Sequence, residues 1–218
     1  SAAATCAYYP GHMRWDLFCQ VIDNHGDAGV CWRVAAELAA RGQEVRLWID
    51  DPAPLAWMAP QPVAGVQVVH WTESSADHPP GDVVVEAFGC NPPPSFVARM
   101  AALPRPPAWI NLEYLSAESY VERSHGLPSP VLHGPGRGLV KRFFYPGFTP
   151  RTGGLLREQD LGARRPAFDG RAWLHGRGIP AEGRVLSLFC YEPLALAELL
   201  RQLAADTTPT QLLVTAGR

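Results

Sequence analysis

No apolar run in this chain of 218 residues reaches the roughly 18 to 20 residues that a membrane-spanning helix requires, so no membrane association is expected. Residues Ser1 to His12 lack a basic segment followed by an apolar core, which excludes a signal peptide there. Gly11-His12-Met13 reads instead as the junction between a non-native tail or tag (1–12) and a native start at Met13. Cysteine is sparse: five residues, Cys6, Cys19, Cys31, Cys90 and Cys190, an odd number without any CxxC pair. That excludes a disulfide framework and a structural zinc site, and leaves reduced thiols in a cytoplasmic protein. A basic field is missing too. With 19 Lys and Arg against 21 Asp and Glu, the net charge of −2 argues against direct binding to nucleic acid. His25, His70 and His133 show no metal-ligand spacing, and no repeat or low-complexity tract is present.

What is present is enough apolar material for a substantial core, 47% of residues against 18% charged. The length suits one full α/β domain and part of another. Trp15 to Ile22 (WDLFCQVI) has the length and apolarity of a buried strand. Asp23 to Gly29 follows as a loop, Val30 to Ala40 as a helix closed by Arg41-Gly42, and Glu44 to Ile49 as a second strand. Further strands are expected over Val66 to His70, Asp82 to Ala87 and Ala108 to Leu112, with a helix over Ser95 to Leu103. This is the alternation of a Rossmann-like, doubly wound parallel sheet.

From Leu127 to Arg184 the pattern dissolves into Pro, Gly and Arg, and Phe143 to Phe148 (FFYPGF) reads as an irregular aromatic loop on a surface or cleft. Order returns with a strand at Arg184 to Cys190, a helix at Leu194 to Ala205 and a strand at Gln211 to Val214. A β-α-β unit alone cannot bury both faces of its sheet. The expected division is therefore an N-terminal domain over 13–180 and the truncated start of a second Rossmann-like domain over 181–218.

Ligands of open α/β sheets bind at the carboxyl ends of the strands, which puts Asp23 to Gly29 first among candidate sites. Gly26 and Gly29 allow a tight turn and close backbone approach, ahead of a helix N-terminus that favours an anion. GDAG is not the GxGxxG of a dinucleotide fingerprint, so Asp50 or Asp51 after the second strand lacks the motif a ribose-binding acid should accompany. Asp23 and Asp27, four residues apart across the turn, can face one cleft. The same spacing suits an Asx-turn at Asp23 and a helix cap at Asp27, and spacing alone puts that reading slightly ahead. Cys19 and Cys31 fall on a buried strand and helix and read as inert packing, and Tyr114 and Tyr120 as structural.

The segment WDLFCQVIDNHGDAGVCWRVAAELAARGQEVRLWIDD, with the blocks Asn111 to Ser116, Phe144 to Phe148, Thr152 to Leu156 and Ser187 to Glu192, closely resembles the EarP family. These are bacterial protein-arginine rhamnosyltransferases that modify translation elongation factor P. The resemblance implies a GT-B glycosyltransferase, two Rossmann-like domains across a cleft, that moves L-rhamnose from dTDP-β-L-rhamnose to an arginine nitrogen with inversion and without a metal or other cofactor. Carried over by position, the catalytic pair falls on Asp23 and Asp27, with Asp27 as proton acceptor. Donor contacts fall on Asn24, His25, Gly26, Asp27 and, from the second domain, Tyr191. His25 departs from the aromatic that relatives often carry there. The rest of the family's donor site is expected beyond Arg218, so the chain alone is expected to be inactive. The alternative is a non-catalytic module that binds a protein or nucleotide through the same cleft.

Overall fold

A computed structural model of the protein describes residues 11–22, 25–72, 78–180, 182–190 and 194–214. In chain order the elements are β1 (Arg14–Cys19), α1 (Gly26–Ala40), β2 (Glu44–Ile49), α2 (Leu55–Met58), β3 (Val66–His70), β4 (Val83–Ala87), α3 (Pro94–Ala102) and β5 (Ala108–Leu112). They continue with α4 (Val121–Ser124), β6 (Pro128–Pro130), β7 (Val140–Phe144), α5 (Leu161–Ala167), α6 (Gly170–His175), β8 (Arg184–Leu188), α7 (Leu196–Ala205) and β9 (Thr210–Val214). The chain divides into two compact units, the first ending at Gln159 and the second starting at Asp160.

The first unit holds a seven-stranded sheet in the order β3-β2-β1-β4-β5-β7-β6. All neighbours are parallel except the edge pair β6 and β7. Because β2 and β3 extend to one side of β1 and β4 and β5 to the other, the winding reverses between β1 and β4. Side chains alternate across the sheet and make two cores. On one face Leu17, Cys19, Leu47, Ile49 and Val85 pack against Ala28, Cys31 and Ala35 of α1. On the other, Phe18, Trp48, Val84 and Trp109 meet Phe96, Val97 and Met100 of α3. Phe18 stacks on Trp48 (centroids 5.4 Å, 6°) and meets Phe96 edge-on (4.9 Å, 69°). Pairs of this kind add about 0.5–1.5 kcal/mol each to the burial itself.

Several boundaries differ from the sequence reading. β1 stops at Cys19 rather than Ile22, because Val21 and Ile22 turn their amides to side-chain carboxylates, Asp50 Oδ1 at 2.8 Å and Asp27 Oδ2 at 3.0 Å. α1 starts at Gly26, not Val30. Neither Gly26 nor Gly29 adopts the left-handed conformation expected of a tight turn. Gly29 is instead a packing glycine, since a Cβ there would come within 2.8 Å of Met58 Cε. The aromatic loop is in part a strand: Val140–Phe144 is β7, parallel to β5, with Lys141 beside Trp109 and Phe143 beside Asn111. Its alternating exposure is a period-2 signal that the surrounding Pro and Gly conceal.

The second unit contains β8 and β9, a parallel pair in a sheet of their own, linked through α7. Gly183, just before β8, has φ +80°, and a Cβ on it would lie 2.2 Å from the Pro209 carbonyl oxygen, so only glycine fits.

Within the first unit the α3 face carries a buried ion pair. Asp16, fully buried, accepts from Arg46 Nε (2.7 Å) and Nη2 (2.8 Å), from Trp48 Nε1 (2.8 Å) and from the Gly81 amide (2.7 Å). Gly81 lies so close to β1 that a Cβ would meet Arg14 O at 2.4 Å. Removing one member of such a pair leaves the other charged and buried, which costs about 3–5 kcal/mol. Asp16→Ala is therefore expected to lower the unfolding free energy by that amount, read as a lower urea midpoint at unchanged slope, and Asp16→Ala with Arg46→Met to regain most of it. Equilibrium unfolding of the three proteins checks this.

Candidate active site

The reversal between β1 and β4 opens a crevice at the carboxyl ends of the strands, the position at which open α/β sheets take their ligands. One wall is the start of α1. His25 is its N-cap residue and gives it no side-chain hydrogen bond; its ring stands edge-on to Trp57 of α2 (5.1 Å, 88°). Gly26 is the first helical residue and Asp27 the second, so Asp27 lies in the first turn, where the helix dipole favours a negative charge. Asp27 is 1% exposed.

Asp27 is thus not the cap of its helix, the competing role that its spacing allowed. Its Oδ2 accepts from the Ile22 amide at 3.0 Å and its Oδ1 from the Tyr114 hydroxyl at 3.0 Å. The first bond ties the end of β1 to α1, and the second ties α1 to the segment that follows β5. Asp50 supports the same loop from β2, accepting from Val21 N (2.8 Å) and from Asp51 N (2.9 Å). Asp51 in turn accepts from Ala53 N (3.0 Å). These acids hold backbone, which accounts for them without a ribose.

Of the residues singled out from the sequence, His25, Gly26 and Asp27 come together at this crevice. Asp23, Asn24 and Tyr191 lie outside the described residues.

Two residues at the site escaped sequence reasoning. Tyr114 reads as merely structural from sequence, yet it reaches Asp27 and stacks on Phe88 with centroids 4.0 Å apart at 7°. Its position two residues beyond the apolar run of β5, at the carboxyl edge, is the signal that marks it. Phe88, directly after β4, has φ +56°, a conformation that a bulky residue rarely takes. No feature of its sequence neighbourhood announces it apart from the adjoining Gly89. Beside them, burial pushes the Glu113 carboxyl above the ordinary carboxylate range, partly offset by the Asn111 amide donating to it at 3.0 Å. Burial, then the nearby Glu113 charge, likewise raises Tyr145.

Beneath the crevice lie three buried thiols, Cys19, Cys31 and Cys90. A hydrogen bond with Cys19, then burial, raises Cys31 well above an ordinary thiol. Burial pushes Cys90, whose thiol donates to Phe18 O at 3.2 Å, up to about 12. A neutral thiol is a poor nucleophile and metal ligand, so Cys31 and Cys90 are packing groups, and Cys19 is buried in the same core as Cys31. Among the described residues no cluster of His, Cys, Asp and Glu could hold a metal ion. A depression of about 440 Å³ lies at the opposite edge of the sheet, between the amino ends of β1, β2 and β3. Of its charged groups, Arg46 pairs with Asp16 and Glu44 with His12.

An open, doubly wound sheet with a buried carboxylate in the first helical turn at its switch point defines a Rossmann-like ligand-binding domain. This chain belongs to the EarP family, the elongation factor P (EF-P) rhamnosyltransferases, whose sequence model matches residues 15–218. It is 48% identical to the protein-arginine rhamnosyltransferase of Pseudomonas putida over 94% of this chain and 57% of that protein. Corresponding figures are 43%, 94% and 57% for the enzyme of Pseudomonas aeruginosa, and 37%, 94% and 58% for that of Shewanella oneidensis. The chain thus spans less than two thirds of these relatives' length. A solved structure addressing EarP-mediated arginine glycosylation of translation elongation factor EF-P aligns over 94% of this chain and 50% of its own, with 30% identity and a TM-score of 0.49.

Burial predicts which thiols react. Peptide mapping after brief alkylation of the native protein should find the exposed Cys190 modified and Cys19, Cys31 and Cys90 protected until the protein is unfolded. Cys90 also predicts a pH dependence: it keeps its proton in the folded state to about 12, against an ordinary value of 9.0. Between those values the unfolded state binds fewer protons, so stability falls as pH rises through that window. Cys90→Ala should flatten the alkaline decline in urea midpoint.

Proposed function

We propose that the full-length protein is an inverting GT-B glycosyltransferase that moves L-rhamnose from dTDP-β-L-rhamnose to an arginine side chain of translation elongation factor P. The observation that carries this reading is the buried, doubly hydrogen-bonded Asp27 at the switch point, in a chain that belongs to the EarP family. The names of its relatives, protein-arginine rhamnosyltransferases, support the same acceptor chemistry.

The acceptor is a guanidinium with a pKa above about 12, so no carboxylate deprotonates it in the ground state. In the proposed reaction Asp27, with Asp23, grips the planar fork by charge-assisted hydrogen bonds. This holds one nitrogen in line with the anomeric carbon and lowers the entropic part of the barrier. As the C–N bond forms and the C–O bond to dTDP breaks, the attacking nitrogen becomes acidic and its proton passes to Asp27. The negative charge that develops on dTDP is met by helix N-termini and cationic groups. Asn24, His25, Gly26 and Tyr191 are the proposed donor contacts. The reaction as proposed uses no metal or other cofactor, and its setting is the cytoplasm, where elongation factor P works. Among the described residues no helix is long and apolar enough to cross a membrane.

Asp27→Asn in the full-length enzyme keeps the shape of the side chain and removes its charge and proton acceptor. It is expected to slow arginine rhamnosylation by about 10²–10⁴-fold, read as the rhamnosyl mass shift on elongation factor P by intact-mass spectrometry. Asp23→Asn should also impair turnover, through loss of guanidinium positioning. A near wild-type rate for Asp27→Asn would reduce that residue to a tie between β1 and α1.

A further inference from the structure

Resting on the rhamnosyltransferase reading above, we propose that Tyr114 is a positioning residue, which sets the plane of the Asp27 carboxylate for capture of the acceptor guanidinium. The terminal torsion of an aspartate lies in a broad, roughly two-fold well, so burial alone does not orient the two oxygens. Here two donors from different segments do so: the Ile22 amide on Oδ2 and the Tyr114 hydroxyl on Oδ1, each at 3.0 Å.

The hydroxyl is itself held from behind. Phe88 lies parallel to the Tyr114 ring at 4.0 Å, and its amide donates to Leu112 O at 2.7 Å. The Glu113 amide donates to Phe144 O at 2.9 Å, so the backbone on either side of the stack is bonded to neighbouring strands up to the residue before Tyr114. The left-handed backbone at Phe88, φ +56°, is the kind of local strain that persists only where its surroundings enforce it. Tyr114 nonetheless remains 51% exposed, so its ring is part of the surface of the crevice and not of the core. A half-exposed tyrosine, backed by a strained phenylalanine and aimed at a buried carboxylate, serves geometry rather than burial. Grip on a planar fork depends on the carboxylate plane, and misplacement of a reacting group by about 1 Å can cost 10²-fold.

Tyr114→Phe tests this in the full-length enzyme, because it keeps the ring on Phe88 and deletes only the hydroxyl. We expect kcat for transfer to elongation factor P to fall about 10- to 100-fold, with the KM for dTDP-rhamnose unchanged and thermal melting preserved. Over long incubations, Tyr114→Phe added to Asp27→Asn should cause little further loss, since the hydroxyl acts through that carboxylate. A Tyr114→Phe enzyme at wild-type kcat, or a loss confined to the donor KM, would overturn the positioning role while leaving the functional reading intact. Absence of transfer by the wild-type enzyme would overturn the functional reading and this inference with it.

Discussion

The parallel pairing of β1 with β2 on one side and β4 on the other is the constraint on which the rest of the first unit depends. Parallel neighbours need crossovers, and because the β1–β2 and β4–β5 crossovers run in opposite directions along the sheet, α1 lies on one face and α3 on the other. β1 is therefore buried on both faces, as Leu17, Phe18 and Cys19 show. The crevice at its carboxyl end follows from the same winding. The first turn of α1 has to begin there, bringing Asp27 to the switch point without any loop designed for the purpose.

Burying carboxylates in such a sheet is costly unless every charge is met. The protein meets them in two styles. Asp16 and Glu86, on the α3 face, are neutralised by cations: Asp16 by Arg46, and Glu86 by Lys141 at 2.5 Å, with Trp109 Nε1 donating at 3.1 Å. Those pairs fasten strand to strand and leave little scope for exchange of partners. Asp27 is bonded by neutral donors, an amide and a phenol, in addition to its place at a helix N-terminus. Those two bonds tie the first turn of α1 to the end of β1 and to the segment that follows β5.

Much of the scaffold was legible from pattern. β3 and β5 have the limits that their apolar runs suggested, and β8 and β9 form a separate sheet, as expected from the return of order after Arg184. Continuous apolar runs bounded by Pro, Gly and Asp carry that information because both faces of a parallel strand are buried. β7 was not legible: Val-Lys-Arg-Phe-Phe sits among Pro and Gly, and its partner β5 is distant in sequence. The start of α1 was also misplaced. Glycines at 26 and 29 argue for a turn when only local propensity is weighed, whereas contact with Met58 gives Gly29 a packing role.

The sequence by itself determined the alternation of strands and helices, the Rossmann-like class, the family and the candidate Asp27, because periodicity and contiguous motifs are local properties of the chain. Only the tertiary structure decided what Asp27 does with its two oxygens. Spacing puts a helix cap slightly ahead of a cleft-facing acid, but the cap position belongs to His25, and one Asp27 oxygen accepts from Tyr114, a residue 87 positions away. The left-handed turn at Phe88 and the stack that supports Tyr114 were likewise settled by packing across β4 and β5. Orientation of a side chain is set by partners from separate strands, and those partners meet only when the sheet has closed around them.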